Sequence, residues 1–170
     1  MTQAPEYALV PLASLLPHES VDAADVAGLV REIRGRGFVR EPIWVARTER
    51  VILNGHHRFA ALQVLGVRRV PAWLVEYSDP AMALARWGNG PPLQKAEVIR
   101  RARAGDLYPP KTSRHQWRGP DPAPHPTPLA ELQTEGPGGG PEPARRAPVD
   151  PAVPRYGKAH SPSANRSMTE

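Results

Sequence analysis

Val51-Ile52-Leu53-Asn54-Gly55-His56-His57-Arg58 carries a β-rich run into a glycine and out into a helical pattern. After Gly55, the segment His56–Leu65 keeps Phe59, Leu62 and Leu65 on one face and stops at Gly66. A strand that ends in a glycine turn and feeds a helix leaves free backbone N–H groups and the positive helix end pointing out of the turn. That arrangement binds anions, and the guanidinium of Arg58 adds a fork of donors suited to phosphate oxygens. The same polar residues also serve as ordinary helix caps. His56 and His57 are a poor metal pair, because adjacent helical residues diverge by about 100° around the axis.

Working outward, Val51–Leu53 pairs with Pro42–Ala46 across the polar Arg47–Arg50 turn as a hairpin. Upstream, Val26, Leu29, Val30 and Ile33 recur at helical spacing between Asp22 and Arg36. Ser20 or Asp22 is placed to cap this helix, and Gly35 or Gly37 to end it. Tyr7–Leu12 is a short strand, followed by the loop Leu15–Glu19. Downstream, Val70–Tyr77 is the most β-like run, Pro80–Trp87 and Pro92–Ala104 are expected helices, and Asp106–His115 is an expected loop. Strands and helices alternate over the first 80 residues, so the spacing predicts an α+β (mixed α/β) domain with a small mixed sheet.

The chain has 170 residues with 22 Pro, 14 Gly and no Cys; 12 of the prolines fall in residues 119–170. That composition predicts a domain over 1–118 and a disordered Pro/Gly-rich tail over 119–170. A proline-rich ligand for SH3-type modules is one use for such a tail, and a plain solvated tail is the simpler one. Without cysteine, disulfides, Cys-ligated zinc, iron–sulfur clusters and thiol catalysis are excluded. No apolar run approaches the roughly 18 residues of a membrane span. Ala8–Leu16 is broken by Pro11 and lacks a basic lead, so a cytoplasmic location is the expectation. Residues 1–118 hold 17 basic and 11 acidic side chains, whereas the tail is close to neutral. Such a surface suits phosphates of a nucleotide, a metabolite or nucleic acid, or reflects an arginine-rich composition with no partner.

Asn54-Gly55-His56-His57-Arg58-Phe59-Ala60-Ala61-Leu62, followed by Leu65-Gly66 and Val70-Pro71, resembles the signature of the ParB/sulfiredoxin-like fold. Within that group the chain is most similar to the free L-serine kinases, over roughly residues 7–117. Pro17-His18-Glu19 sits where those kinases carry a catalytic glutamate. Trp87 resembles a tryptophan of their serine pocket, and Gly105 through His115 resembles their C-terminal serine-binding loop. The resemblance implies phosphoryl transfer from ADP or ATP, with Mg²⁺, to a free amino-acid hydroxyl. Gly55, His56, His57 and Arg58 would cradle the phosphates, and Glu19 would orient or deprotonate the hydroxyl. Trp87, Thr112, Ser113, Arg114 and His115 would hold the amino acid, Arg114 pairing with its carboxylate.

Two features depart from that family. Its kinases carry aspartate where this chain has Asn54, and a long segment where only about 20 residues separate Trp87 from Tyr108. An amide cannot take the hydroxyl proton and is a poorer Mg²⁺ ligand. The alternative is a ParB-like nucleotide-binding module for regulation or DNA association, with the Pro80–Ala104 helices as its candidate helix-turn-helix. Sulfiredoxin chemistry is excluded, because His56 stands where that reaction needs cysteine.

Overall fold

The computed structural model describes residues 2–134. Four strands form the main sheet: β1 (Glu6–Pro11), β3 (Ile43–Ala46), β4 (Ile52–Asn54) and β5 (Arg69–Val75), in the order β1-β5-β3-β4. The β1–β5 and β3–β4 pairs are antiparallel, and β3–β5 is parallel, so the sheet is mixed as expected. Two helices, α1 (Ala23–Arg36) and α2 (His56–Val64), pack on each other and cover the main core. Ile43, Val45 and Ile52 from the sheet meet Val30, Ile33, Phe59 and Leu62 there, all buried.

Local signals account for these elements. The Asp22 carboxylate accepts from the backbone N–H groups of Ala24 (2.9 Å) and Asp25 (3.2 Å), which caps α1. Gly37, at φ 78°, ends it in the left-handed conformation. The β3–β4 hairpin closes through Ala46 N–H to Val51 O and Arg50 N–H to Ala46 O, both 2.9 Å.

Three expectations are corrected by the structure. Pro80–Trp87 contains a strand, β6 (Met82–Arg86), not a helix. Its Met, Ala, Leu and Arg favour helix locally, but β6 pairs antiparallel with β7 (Ser113–Trp117), from Met82↔Trp117 to Arg86↔Ser113. The ladder satisfies backbone groups with a partner about 30 residues distant, and tertiary pairing overrides propensity. Second, the Asp106–His115 loop ends inside β7. Third, among the described residues Pro80–Ala104 holds a single helix, α3 (Lys95–Ala104), so the candidate helix-turn-helix is not formed.

The packed part also runs past Arg118. Strand β8 (Thr127–Pro128) pairs with β2 (Phe38–Val39), and the short α4 (Leu129–Leu132) inserts Leu132 into the main core, fully buried. The Leu132 carbonyl accepts from Arg68 N–H (2.9 Å), and Leu129 N–H donates to Gly37 O (2.9 Å). Prolines at every second position hide this segment in the sequence, since only Leu129 and Leu132 have an apolar payload. The remainder of the expected tail, 135–170, lies outside the described residues.

A second, smaller core lies at the far ends of β4 and β5. There Val51, Leu53, Val75, Tyr77 and Met82 meet Val98 and Ala102 of α3. The candidate site opens between the two cores.

Candidate nucleotide and acceptor site

Gly55 is where the local backbone sets up the site. It stands at φ 98°, a conformation L side chains rarely adopt, and a Cβ there would lie 2.6 Å from Ile43 Cγ2. Glycine is required twice over, and the sharp turn aims the start of α2 out of the end of β4. Arg58, one turn along, donates from Nη1 to Pro42 O (3.3 Å), and its Nη2 lies 3.7 Å from a Glu41 carboxylate oxygen. Burial pushes the Arg58 guanidinium down from its ordinary value, with Glu41 and Glu32 opposing. A desolvated cation of this kind gains more from a phosphate than one in open water.

The two histidines diverge. His56 Nε2 accepts from His18 N–H (3.2 Å), and His57 Nε2 accepts from Asp22 N–H (3.1 Å). Where Nε2 accepts, the ring proton sits on Nδ1, which is a donor. Among the described residues no group of three His, Asp or Glu side chains is arranged to hold a metal ion.

Glu19 comes from the loop after β1. Leu16 bridges to Val51 beside β4, and Glu19 itself bridges to Tyr108. Its carboxylate is nearly buried and accepts three hydrogen bonds: Lys111 N–H (2.6 Å), Ser113 N–H (3.1 Å) and Ser113 Oγ–H (2.7 Å). Because Ser113 Oγ donates to Glu19, His18 Nε2–H donates to Ser113 Oγ (2.8 Å). A directed chain therefore runs His18 to Ser113 to Glu19. Of the roughly four lone-pair positions on a carboxylate, three are filled and about one remains.

Three imidazoles pack behind this chain, with His18 ring centroids 4.5 Å from His56 and 5.3 Å from His115. Burial pushes His18 down to about 4 and His115 down to about 3, and holds His56 well below 6.5, so all three are neutral near pH 7. His115 Nε2 meets the Tyr77 hydroxyl at 2.7 Å. Arg114 lies over the Trp87 ring, 4.8 Å from its centroid, and Trp87 is the one large apolar side chain left half-exposed among the described residues.

One cavity of about 270 Å³ collects most of the expected residues: Glu19, Asn54, Gly55, His56, His57, Arg58, Trp87, Ser113, Arg114 and His115 all line it. Thr112 does not. Its hydroxyl donates to Pro109 O (2.7 Å) within the preceding turn. Lys111 also lines the cavity and was not singled out from the sequence; it stands at φ 58° with its N–H on Glu19, a strain the Glu19 bond offsets. A lysine directly ahead of the Thr-Ser-Arg run was the available signal. Leu29 and Leu53 also line the cavity; Leu29, placed on the core face by the helical stripe, packs half-buried against the main core and reaches the cavity wall as well.

The residues do not offer Mg²⁺ a resident ligand set. Residue 54 is an amide, and both oxygens of Glu19 are engaged by N–H and O–H donors.

The fold is ParB-like, and comparison with known proteins agrees on the fold. Residues 6–89 match the ParB N-terminal domain. An ATP-dependent L-serine kinase of Staphylothermus marinus is 35% identical over 86 residues, 48% of this chain and 34% of the relative. The ADP-dependent L-serine kinase of Thermococcus kodakarensis is 27% identical over 90 residues, 51% of this chain and 37% of the relative. The chain thus matches only about a third of the length of these curated relatives. A solved free serine kinase in complex with AMP superposes with a TM-score of 0.67 at 18% identity, covering 77% of this chain and 95% of that one. The shared fold is clear at that score. No helix among the described residues is long and apolar enough to cross a membrane.

Proposed function

We propose that this protein binds a nucleoside di- or triphosphate at the Gly55–Arg58 turn and transfers its terminal phosphoryl group to the hydroxyl of a free amino acid such as L-serine. The observation that carries the proposal is the single cavity in which Glu19, the Gly55 turn and the Trp87–Arg114 pair converge. These residues come from four widely separated parts of the sequence.

In this reading the acceptor oxygen attacks the terminal phosphorus as the bond to the departing nucleotide oxygen breaks. Phosphoryl transfer of this kind needs alignment and charge neutralisation more than covalent help. Arg58, the Nδ1–H donors of His56 and His57, and the free N–H groups of the α2 start supply donors to the phosphates. Glu19 uses its remaining lone pair to align the acceptor hydroxyl and to take its proton. The acceptor carboxylate pairs with Arg114, while the Trp87 ring covers its carbon atoms. Mg²⁺ would arrive with the nucleotide.

A second reading, a nucleotide-binding ParB-like module without kinase activity, draws on Asn54. At the one position beside the phosphates where a carboxylate would help both metal and hydroxyl, the chain has an amide. Incubation with L-serine, Mg²⁺ and ADP or ATP, read as O-phosphoserine by mass spectrometry, tests both. Slow product formation is expected. Absence of product from both the wild type and Asn54→Asp, with nucleotide binding retained, would favour the module.

A further inference from the structure

A second cavity, also about 270 Å³, lies on the other side of Asn54 and His115, which line both. Its remaining walls differ in kind from those of the first. Trp44 of β3 and Trp117 of β7 stand with ring centroids 6.0 Å apart and planes 30° from parallel. Met82 and Gln116 fill in beside them, and Asp121 brings the one formally charged side chain; no lysine or arginine is among the lining residues.

Asp121 lies in a segment with contacts on either side of it. The segment after β7 passes close to the Trp117 indole, so that a Cβ on Gly119 would sit 2.6 Å from Cζ2 of the ring. Trp117 Nε1–H then donates to Pro120 O (3.0 Å). At the far end His125 stacks on Tyr7, with centroids 3.4 Å apart, and the Tyr7 and Thr127 hydroxyls meet at 2.7 Å. The crossing segment is tied at Pro120 and again at His125 and Thr127, and Asp121 between them lines the cavity.

We propose that this cavity is a binding site for a small alkylammonium ion, with the Trp44 and Trp117 indoles supplying π faces and Asp121 the counter-charge. Indole is the best aromatic partner for a cation, and the attraction grows when the ion is partly desolvated. The carbonyls of Asn54 and Gln116 are the acceptors for ammonium N–H groups. An anion meets Asp121 and finds no cation, so the phosphates suited to the first cavity are excluded from the second. His115, kept neutral by burial, adds no opposing charge to the shared wall. This site does not depend on the kinase reading.

The test is a titration of the full chain, without nucleotide, followed through the indole N–H signals of ¹⁵N-labelled protein. Ethylammonium and tetramethylammonium chloride are the probes, ethanol and tert-butanol the neutral controls, with sodium chloride balancing ionic strength. Trp44→Phe and Trp117→Phe assign the signals. Saturable shifts at both tryptophans with the cations alone are expected, and Asp121→Asn should weaken them about ten-fold. Asp121 is exposed, and an unchanged melting curve would show that the variant folds. Equal shifts with the alcohols, no shift with either cation, or an undiminished response in Asp121→Asn would each overturn the proposal.

Discussion

The two cavities are equal in size and share a wall, yet they are suited to opposite charges. The first is lined by Arg58, Lys111 and Arg114, and its only carboxylate, Glu19, is committed to three donors. The second has two indoles and Asp121, with no cationic side chain. Volume therefore says little about what each takes. The contrast depends on a partition that carries no charge, made of the Asn54 amide and the buried His115 imidazole.

Charging that partition should have the largest effect. The folded-state values of His18 and His115, about 4 and about 3, lie below the ordinary 6.5, so the folded protein binds fewer protons than the unfolded chain. The associated stability is complete above pH 6.5 and is lost as pH falls from there toward those values. Each group contributes a slope of up to about 1.4 kcal/mol per pH unit, so the total loss reaches several kcal/mol. Melting curves should fall steeply between pH 6.5 and 4, and His115→Gln should flatten the fall. An equally steep profile in that variant would remove His115 as a cause.

The second cavity owes its acidic wall to the segment that ends at Leu132. Leu132→Ala should destabilise the protein by about 2–5 kcal/mol, the usual cost of truncating a fully buried leucine. Denaturant titration measures this. A loss within ordinary surface scatter would mean that the segment is not tied to the core and that Asp121 is not held in place.

Asn54 lines both cavities, so a charge placed there acts on both. Asn54→Asp should raise serine phosphorylation by roughly 10²-fold if a base near the hydroxyl is restored. Glu19→Gln in that background should abolish the gain. If the wild type phosphorylates serine briskly and Asn54→Asp changes nothing, residue 54 has no chemical role.

Arg58→Ala separates the cavities most cleanly. Loss of a charge-assisted phosphate contact should weaken nucleotide binding by about 1.5–3 kcal/mol, ten-fold or more, with alkylammonium binding unchanged. Calorimetric titration beside a melting curve checks it. Lower stability at unchanged nucleotide affinity would make Arg58 a packing residue.

The sequence by itself determined the elements whose signals are local. Asp22 and Gly37 bracket α1, the Arg47–Arg50 turn closes the β3–β4 hairpin, and Gly55 can be nothing but glycine. Most of the first cavity was legible for two reasons: Gly55 through Arg58 form a contiguous strand–turn–helix signal, and Glu19 and Ser113 through His115 lie in runs that resemble those of the free serine kinases. Only tertiary structure decided the rest. Met82–Arg86 has helical composition and becomes a strand because β7 offers a ladder of partners that no local window contains. The three bonds to Glu19 arise where a loop after β1 meets the entry to β7, more than 90 residues later in the chain. Leu132 reads as an isolated apolar residue in a proline-rich stretch until the core closes over it, and Trp44, Trp117 and Asp121 share a cavity that no spacing announces. Propensity, capping and turn chemistry act over a few residues and can be read along the chain. Strand pairing and the walls of a cavity are set by contacts between distant segments, which exist only after folding.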